Sequence, residues 1–444
     1  MFPNLQIIRH GKIHRRSSRC LLGFALLAGC AASSLAATVC VNPGGTAGCK
    51  ATIGAAVMAA FPGDIIQVWA GTYKEQVNIS KSLSLVAAAK AQPVIDATGL
   101  SNGIFINGMA KAPGPGVANI LIEGFKIANA NFEGVLIANA SDVVLVNNLV
   151  TDNNKALDVA GQACPGIPAF ETSEAMDCGE GIHLMAANHA SIVNNESTGN
   201  SGGVLITDET GPSHDNLVTG NSVHDNPYAC GITMASHPPA IAVPPAPKLP
   251  FGVMTNTISH NMSFHNGTGV PGAGAGVGIF AAGPGNISTG NVVTENELYD
   301  NGLPGVTMHN HAPVTGMAPP VNLNNNVILL NHIYGNAADT EDAATSGPTG
   351  INIHSLVPIY GTVISQNTIE DEAVDVAFKA PLGSQLLVHF NNFESTGIGV
   401  DNLGTGTVVA TDNWWNCAGG PGTSGCTTVS GSNVIWAPWL TTAF

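Results

Sequence analysis

The side chains best suited to chemistry in this sequence fall into two groups, each mixing imidazoles with charged side chains. The first comprises His183, Asp208, Glu209 and His237, with His214 and Asp215 close in sequence. Either Asp208 or Glu209 could serve as a general acid with His237 as its proton partner, because an imidazole changes charge near neutral pH. The simpler alternative is that Asp208-Glu209-Thr210-Gly211-Pro212 is a tight acidic turn. The second group comprises His309, His311, His354, Asp375 and Lys379, with Asn352 beside His354. His309 and His311 are two apart and can share one face of a strand. Together with His354 they could hold a transition metal, or one of them could abstract a proton. Catalytic roles are therefore expected at Asp208, Glu209, His237, His309 and His354, and substrate contacts at His183, His311, Asn352, Asp375 and Lys379. A polar stack with a purely structural role is the competing reading. Glu171, Glu174, Asp177 and Glu180 surround Cys178 and could take up Ca2+, but they lack the fixed spacing of a calcium loop and read more simply as surface acids.

Such groups need a frame, and the chain carries a repeated one. Asn recurs after four intervening residues at Asn148–Asn153, Asn195–Asn200, Asn221–Asn226, Asn261–Asn266, Asn296–Asn301 and Asn331–Asn336, with degenerate versions around Asn367, Asn392 and Asn413. Stacked coils would place each Asn over its counterpart, where its amide bonds along the ladder and its backbone tolerates left-handed turns. In a second register, Gly or a small residue opens a strand with alternating apolar positions. The pairs are Val135/Ile137, Ile182/Leu184, Val204/Ile206, Ile232/Met234, Val277/Ile279, Val306/Met308, Ile351/Ile353, Val374/Val376 and Ile398/Val400. Alternation sends these inward and sends His183, Thr207, Thr233, Thr307, His309, Asn352, His354 and Asp375 outward. Asp208, Glu209, His237, His311 and Lys379 follow at strand ends. Coils stack about 4.8 Å apart, so Asp208 and His309, three coils apart, are separated by roughly 14 Å. That exceeds the spacing of a hydrolytic carboxyl pair and implies two separate sites. Long segments at 161–180, 238–250, 311–321 and 337–349 would wall a cleft beside them.

The ends suit a stack of this kind. Residues 50–62 predict a capping helix with Ile53, Val57 and Phe61 on one face, covering the open edge. Residues 411–440 bring Trp414, Trp415, Trp436 and Trp439 together with Cys417 and Cys426 as a plug. The remaining cysteines after the amino-terminal segment include two more close pairs, Cys40/Cys49 and Cys164/Cys178, which fit local disulfides in an oxidising compartment. Cys230 is left over and reads as a buried thiol.

Residues 1–37 have the pattern of an export signal: basic residues, an apolar run from Cys20 to Ala28, then small residues. Cleavage after Ala36, or lipidation of Cys30 in Leu27-Ala28-Gly29-Cys30, both fit. The protein is therefore expected to be secreted, or periplasmic and outer-membrane-associated with a lipid anchor at Cys30. All four arginines lie in that segment. Residues 38–444 then carry nine lysines against 30 acidic residues, a net charge of −21. So acidic a chain excludes nucleic acid as a partner and meets polyuronates awkwardly unless a cation bridges the charges. A repeat fold grows by adding units, so the 444 residues need not be split into several domains, and a monomer is expected.

The opening PGDIIQVWAGTYKEQVNISKSLSLVA, the Asn ladder and the closing DNWWNCAGGPG resemble right-handed parallel β-helix proteins of the pectin-lyase-like superfamily. TDETGPSHDN and NPYACGITMASH resemble a secreted bacterial branch of it. The resemblance implies an all-β, single-stranded right-handed parallel β-helix (a solenoid) with an amino-terminal capping helix. It implies function only loosely, since one scaffold hosts lyases, hydrolases, epimerases and adhesins. After its signal the chain has no arginine to act as a pectate-lyase base, no polygalacturonase set of three aspartates and no epimerase YG-D-P-H-D stretch. The expected function is an exported polysaccharide lyase or glycoside hydrolase with a polysaccharide or oligosaccharide partner. The alternatives are a non-enzymatic glycan-binding surface protein and a periplasmic metal-handling β-helix.

Overall fold

The computed structural model describes residues 36–171, 178–239, 250–310, 320–340 and 343–444. His311, Glu174, Asp177 and Cys30, with most of the export signal, lie outside the described residues. Residues Ala36–Phe444 form one compact unit. Short strands dominate because the sequence is rich in Gly, Pro and Asn and supplies apolar residues in twos and threes. They assemble into three long parallel sheets of 14, 12 and 11 strands, called sheets I, II and III here, plus a three-stranded accessory sheet. Each coil contributes one strand to each long sheet, and every inter-sheet turn returns the chain to pair in parallel one coil on. Parallel crossovers of this kind are right-handed. The interior is a continuous apolar column from Val41 to Trp415.

Asparagines turn the corners from inside. One ladder runs Asn148, Asn195, Asn221, Asn261, Asn296, Asn331, Asn367, Asn391 and Asn413, each passing its backbone N–H to the side-chain oxygen of the next at 2.8–3.0 Å. A second runs from Asn153 to Asn336 and ends on Glu372, whose Oε1 accepts both the backbone and the side-chain N–H of Asn336. A third, Asn216–Asn256–Asn291–Asn326, was not anticipated. The ladder member in the penultimate position is Asn391 rather than Asn392. The left-handed residue is also not the ladder Asn but the one before it: Asn147 (φ 56°), Gly220 (φ 68°), Leu330 (φ 57°) and Phe390 (φ 56°). That residue bends the chain, and the following Asn then points inward, where its amide satisfies carbonyls left without strand partners.

The amino-terminal helix α1 is short, Ile53–Ala59, and contacts the first strands of the stack. Thr52 caps it by accepting from the Ala55 amide, and the Glu75 carboxylate accepts from the Ile53 and Gly54 amides. Ile53 and Val57 are buried, but Phe61 lies beyond the helix and is 76% exposed. Pro62 explains the difference, since the residue before a proline is disfavoured in helical geometry. Trp415 is fully buried at the other end, and Trp436 and Trp439 pack against the same core. Disulfides join Cys40–Cys49, Cys164–Cys178 and Cys417–Cys426. Cys230 is buried outside the three disulfides, and its sulfur accepts the Ala275 amide. Among the described residues no helix is long and apolar enough to cross a membrane.

Candidate functional site

Sheet II carries both groups of polar residues on its outer face. Seven successive coils keep one register, from Val135 through Ile182, Val204, Ile232, Val277 and Val306 to Ile351. The next coil slips: Ile351 pairs with Val376 and Ile353 with Phe378, so the inward pair is Val376/Phe378 and not Val374/Val376. Two placements change as a result. Asp375 falls beside Gly350, in the row of strand-opening glycines, with its carboxyl fully buried and pushed well above the usual carboxylate range by that burial. It therefore leaves the substrate-contact face. Lys379 stays on that face and comes directly opposite His354.

The first group is a closed network. Asp208 is fully buried and accepts three hydrogen bonds, from the Ser236 hydroxyl, the His237 amide and the Gly252 amide. Those donors flank segment 238–250, so Asp208 clamps the base of that loop. Burial raises its pKa to about 6, against the lowering effect of the Gly252 and His237 amides. Glu209 accepts from His237 Nδ1 at 3.0 Å. Burial would raise Glu209, but the bond and charge of His237, the charge of His183 and the Thr207 hydroxyl hold it below its ordinary value. His183 Nε2 lies 2.8 Å from the Thr207 hydroxyl, and its Nδ1 lies 3.8 Å from Glu133 Oε1. Burial would lower the His183 pKa, yet Glu133, with Glu209 and Glu171 farther off, raises it to about 9. His214 and Asp215 take no part, because they pair with each other at the surface.

Sequence reasoning missed Glu133. The register was counted forward from each opening glycine, whereas Glu133 and Glu180 stand immediately before Gly134 and Gly181. The Gly134 amide bonds the Glu180 carbonyl, which stacks the two glutamates on consecutive coils. A repeated Glu-Gly pair at equivalent positions was the available signal. Glu171 reaches the cluster from the covering loop, which is seated by Phe170 against Phe105 at 6.1 Å and closed by Cys164–Cys178. Glu171 and Glu180 are both buried rather than surface acids. Oxygen and nitrogen atoms of Glu133, Glu171 and His183 lie within 4.8 Å of one another.

The second group is a column along the helix axis. Phe280, His309, His354 and Lys379 are register partners in four consecutive coils. His309 stacks on Phe280 with ring centroids 4.3 Å apart, and its Nδ1 lies 3.4 Å from the Thr307 hydroxyl. Both histidines keep 8% of their surface open, and Lys379 more. Asn352 shares the outer face with Thr307 but is fully buried there, its amide donating to Asp339 at 2.6 Å. Two other features are less suited to chemistry. On sheet III, His224, Phe264, Tyr299 and Tyr334 stack with centroids 4.8–4.9 Å apart, their faces covering one another. On sheet I, an open groove of about 390 Å³ is lined by Asn119, Leu121, Asp142, Val144 and His189 among others.

Residues 98–242 match the family described as the right-handed beta helix region. No curated protein matches the sequence. Among solved structures, the chain is similar to the Agl-KA catalytic domain at 15% identity and a TM-score of 0.48, covering 88% of this chain but only 64% of that one. It is similar to the A-module of the Azotobacter vinelandii mannuronan C-5 epimerase AlgE4 at 12% identity and a TM-score of 0.47, covering 88% of this chain and 94% of that one. It is similar also to DFA-IIIase from Arthrobacter chlorophenolicus A6 without its lid, at 13% identity and a TM-score of 0.43, covering 89% and 98%. Likeness at this level is one of fold alone.

Proposed function

We propose that this right-handed parallel β-helix of the pectin-lyase-like superfamily is an exported carbohydrate-active enzyme whose substrate lies along sheet II. The observation that carries the reading is the column Phe280–His309–His354–Lys379, which sets a ring, two imidazoles and an ammonium in line with the helix axis. A linear glycan can lie in that direction across several coils. Elimination is the chemistry these groups support best. His309 or His354 takes the proton beside a uronate carboxylate, the electron pair forms a carbon–carbon double bond, and the glycosidic oxygen leaves with a proton. Lys379 offsets the uronate charge, which matters in a chain this acidic. Hydrolysis would instead need two carboxyls facing the substrate, and the column contains none. Three disulfides support export to an oxidising compartment, with either signal cleavage or a lipid anchor at Cys30.

Incubation with a panel of uronate and neutral polysaccharides tests this by ultraviolet absorbance for unsaturated ends and by reducing-sugar release. The expected result is unsaturated product from a uronate polymer, with a rate at least about 100-fold lower for His309→Ala or His354→Ala. Unchanged cleavage in both variants would remove the column from the chemistry. One observation favours a second reading, in which the protein holds glycan without turning it over: Asp208 and Glu209 are enclosed and engaged, leaving no accessible carboxyl acid among the expected catalytic residues. Retention on a glycan array, with no product after long incubation, would establish that reading.

A further inference from the structure

We propose that Glu133, Glu171 and His183 bind one divalent transition-metal ion of the Zn2+ or Mn2+ type, fastening the loop that carries Glu171 onto the outer face of sheet II. Three lines of geometry converge on this. The donor atoms lie within 4.8 Å of one another, so some point is no more than about 2.8 Å from all three. A contraction of well under an ångström per side chain brings that point to metal–ligand distance. Second, Glu133 Oε2 has no hydrogen-bond partner although Glu133 is only 1% exposed. A carboxylate oxygen enclosed without a donor is costly, and a cation placed among these residues removes that cost. Third, the neighbouring hydrogen bonds aim the imidazole. His183 Nε2 is engaged by the Thr207 hydroxyl 2.8 Å away, and with that oxygen accepting the Nε2 proton the other ring nitrogen is the one left to bind. A bound cation displaces the ring proton and takes the Nδ1 lone pair, which is turned toward Glu133 at a separation too long for a hydrogen bond. A ligand histidine held through its other nitrogen by an anchored acceptor has this arrangement.

The donor set selects the ion. One imidazole with two carboxylates suits Zn2+ or Mn2+, whereas Ca2+ takes oxygen ligands only. Enclosure gives the ion a structural role, because the sheet supplies Glu133 and His183 and the covering loop supplies Glu171. The Cys164–Cys178 disulfide closes that loop covalently but does not tie it to the sheet. The ion would add a coordinate link to the apolar contact of Phe170 with Phe105 that seats the loop.

The test uses the full chain, stripped with a chelator and titrated calorimetrically with Zn2+, Mn2+ and Ca2+ while its melting temperature is followed. The expected result is one equivalent of Zn2+ or Mn2+ with a rise of about 3 °C, and Ca2+ binding at least tenfold more weakly. Glu133→Gln and His183→Asn should each abolish the rise. Glu171→Gln, on the loop, gives the same readout if either sheet variant fails to fold. His309→Ala should leave metal binding intact, so the result is independent of any glycan activity. Failure of the stripped wild-type chain to bind either transition ion, or unchanged binding in Glu171→Gln, overturns the proposal. In the first case a shared proton would be what joins His183 to Glu133.

Discussion

The two polar regions of sheet II share a face and a strand geometry, and they differ in what their hydrogen bonds accomplish. Around Asp208 and Glu209 the groups are enclosed, and their bonds run to Ser236, His237 and Gly252, on either side of segment 238–250. Along Phe280, His309, His354 and Lys379 the side chains stack on one another and keep an open edge. Residue type alone does not separate these cases, since each region holds imidazoles beside charged groups. The separation comes from the loops. Where a long excursion folds back and is fixed by its own apolar anchors, the strand residues beneath become scaffold. Where the column stays partly open, the same residue types can meet a ligand.

The largest expected effect tests the enclosed side. Asp208→Ala leaves the Ser236 hydroxyl and the His237 and Gly252 amides without their acceptor, and should cost about 3 kcal/mol or more in urea denaturation. His309→Ala should cost less, about 1–2 kcal/mol, because it removes a mostly buried ring stacked on Phe280 without stranding the donors of a buried carboxylate. If the two variants melted alike, the division between scaffold and contact surface would fail.

The second test concerns charge at the end of an asparagine ladder. Burial raises the Glu372 pKa to about 8, despite the Asn336 donors that lower it. In the unfolded chain an ordinary Glu ionises near 4.5, so between about pH 4.5 and 8 the folded state binds the extra proton. Stability is then fully present below that window and is lost as pH rises through it. Asp208, raised to about 6, acts in the same sense over a narrower range. Glu372→Gln keeps an oxygen to accept from Asn336 and cannot ionise. It should flatten the decline, by roughly 3 kcal/mol between pH 5 and 8 in denaturation midpoints converted to free energy. An identical pH profile in the variant would mean that Glu372 ionises no differently on folding.

Much of this fold was legible because its periodicity is strict. The inward pairs from Val135/Ile137 to Ile351/Ile353 and the Asn spacing are local patterns, and stacking converts them directly into strands and ladders. What the patterns could not provide was the slip of two residues after Ile353. It arises from pairing with Val376 and Phe378, both as apolar as the alternatives, and it set Asp375 in the row of strand-opening glycines and Lys379 in the row of His309 and His354. The enclosed cluster was legible only in part. His183, Asp208, Glu209 and His237 stood out as residue types, but their burial depends on loops far away in sequence. Glu133 escaped notice because the position before each glycine carries no constant type: Glu133 and Glu180 are followed by Gly202 and Cys230 in the next coils.

The smallest expected effect bears on the open column. Phe280→Leu removes the ring on which His309 stacks but keeps an apolar side chain of similar reach. Aromatic stacking of this sort contributes roughly 0.5–1.5 kcal/mol, so the loss of stability should stay near 1 kcal/mol. Retention of a bound oligosaccharide should fall about tenfold, because the displaced imidazole no longer lies in line with His354 and Lys379. The ratio is the informative quantity. At Asp208 a substitution should damage folding far more than binding, whereas at Phe280 it should damage binding at least as much as folding. Measuring melting and oligosaccharide retention on the same preparations gives both numbers. A Phe280→Leu chain that loses stability but binds normally would make the column a second structural stack, equivalent to the aromatic ladder on sheet III.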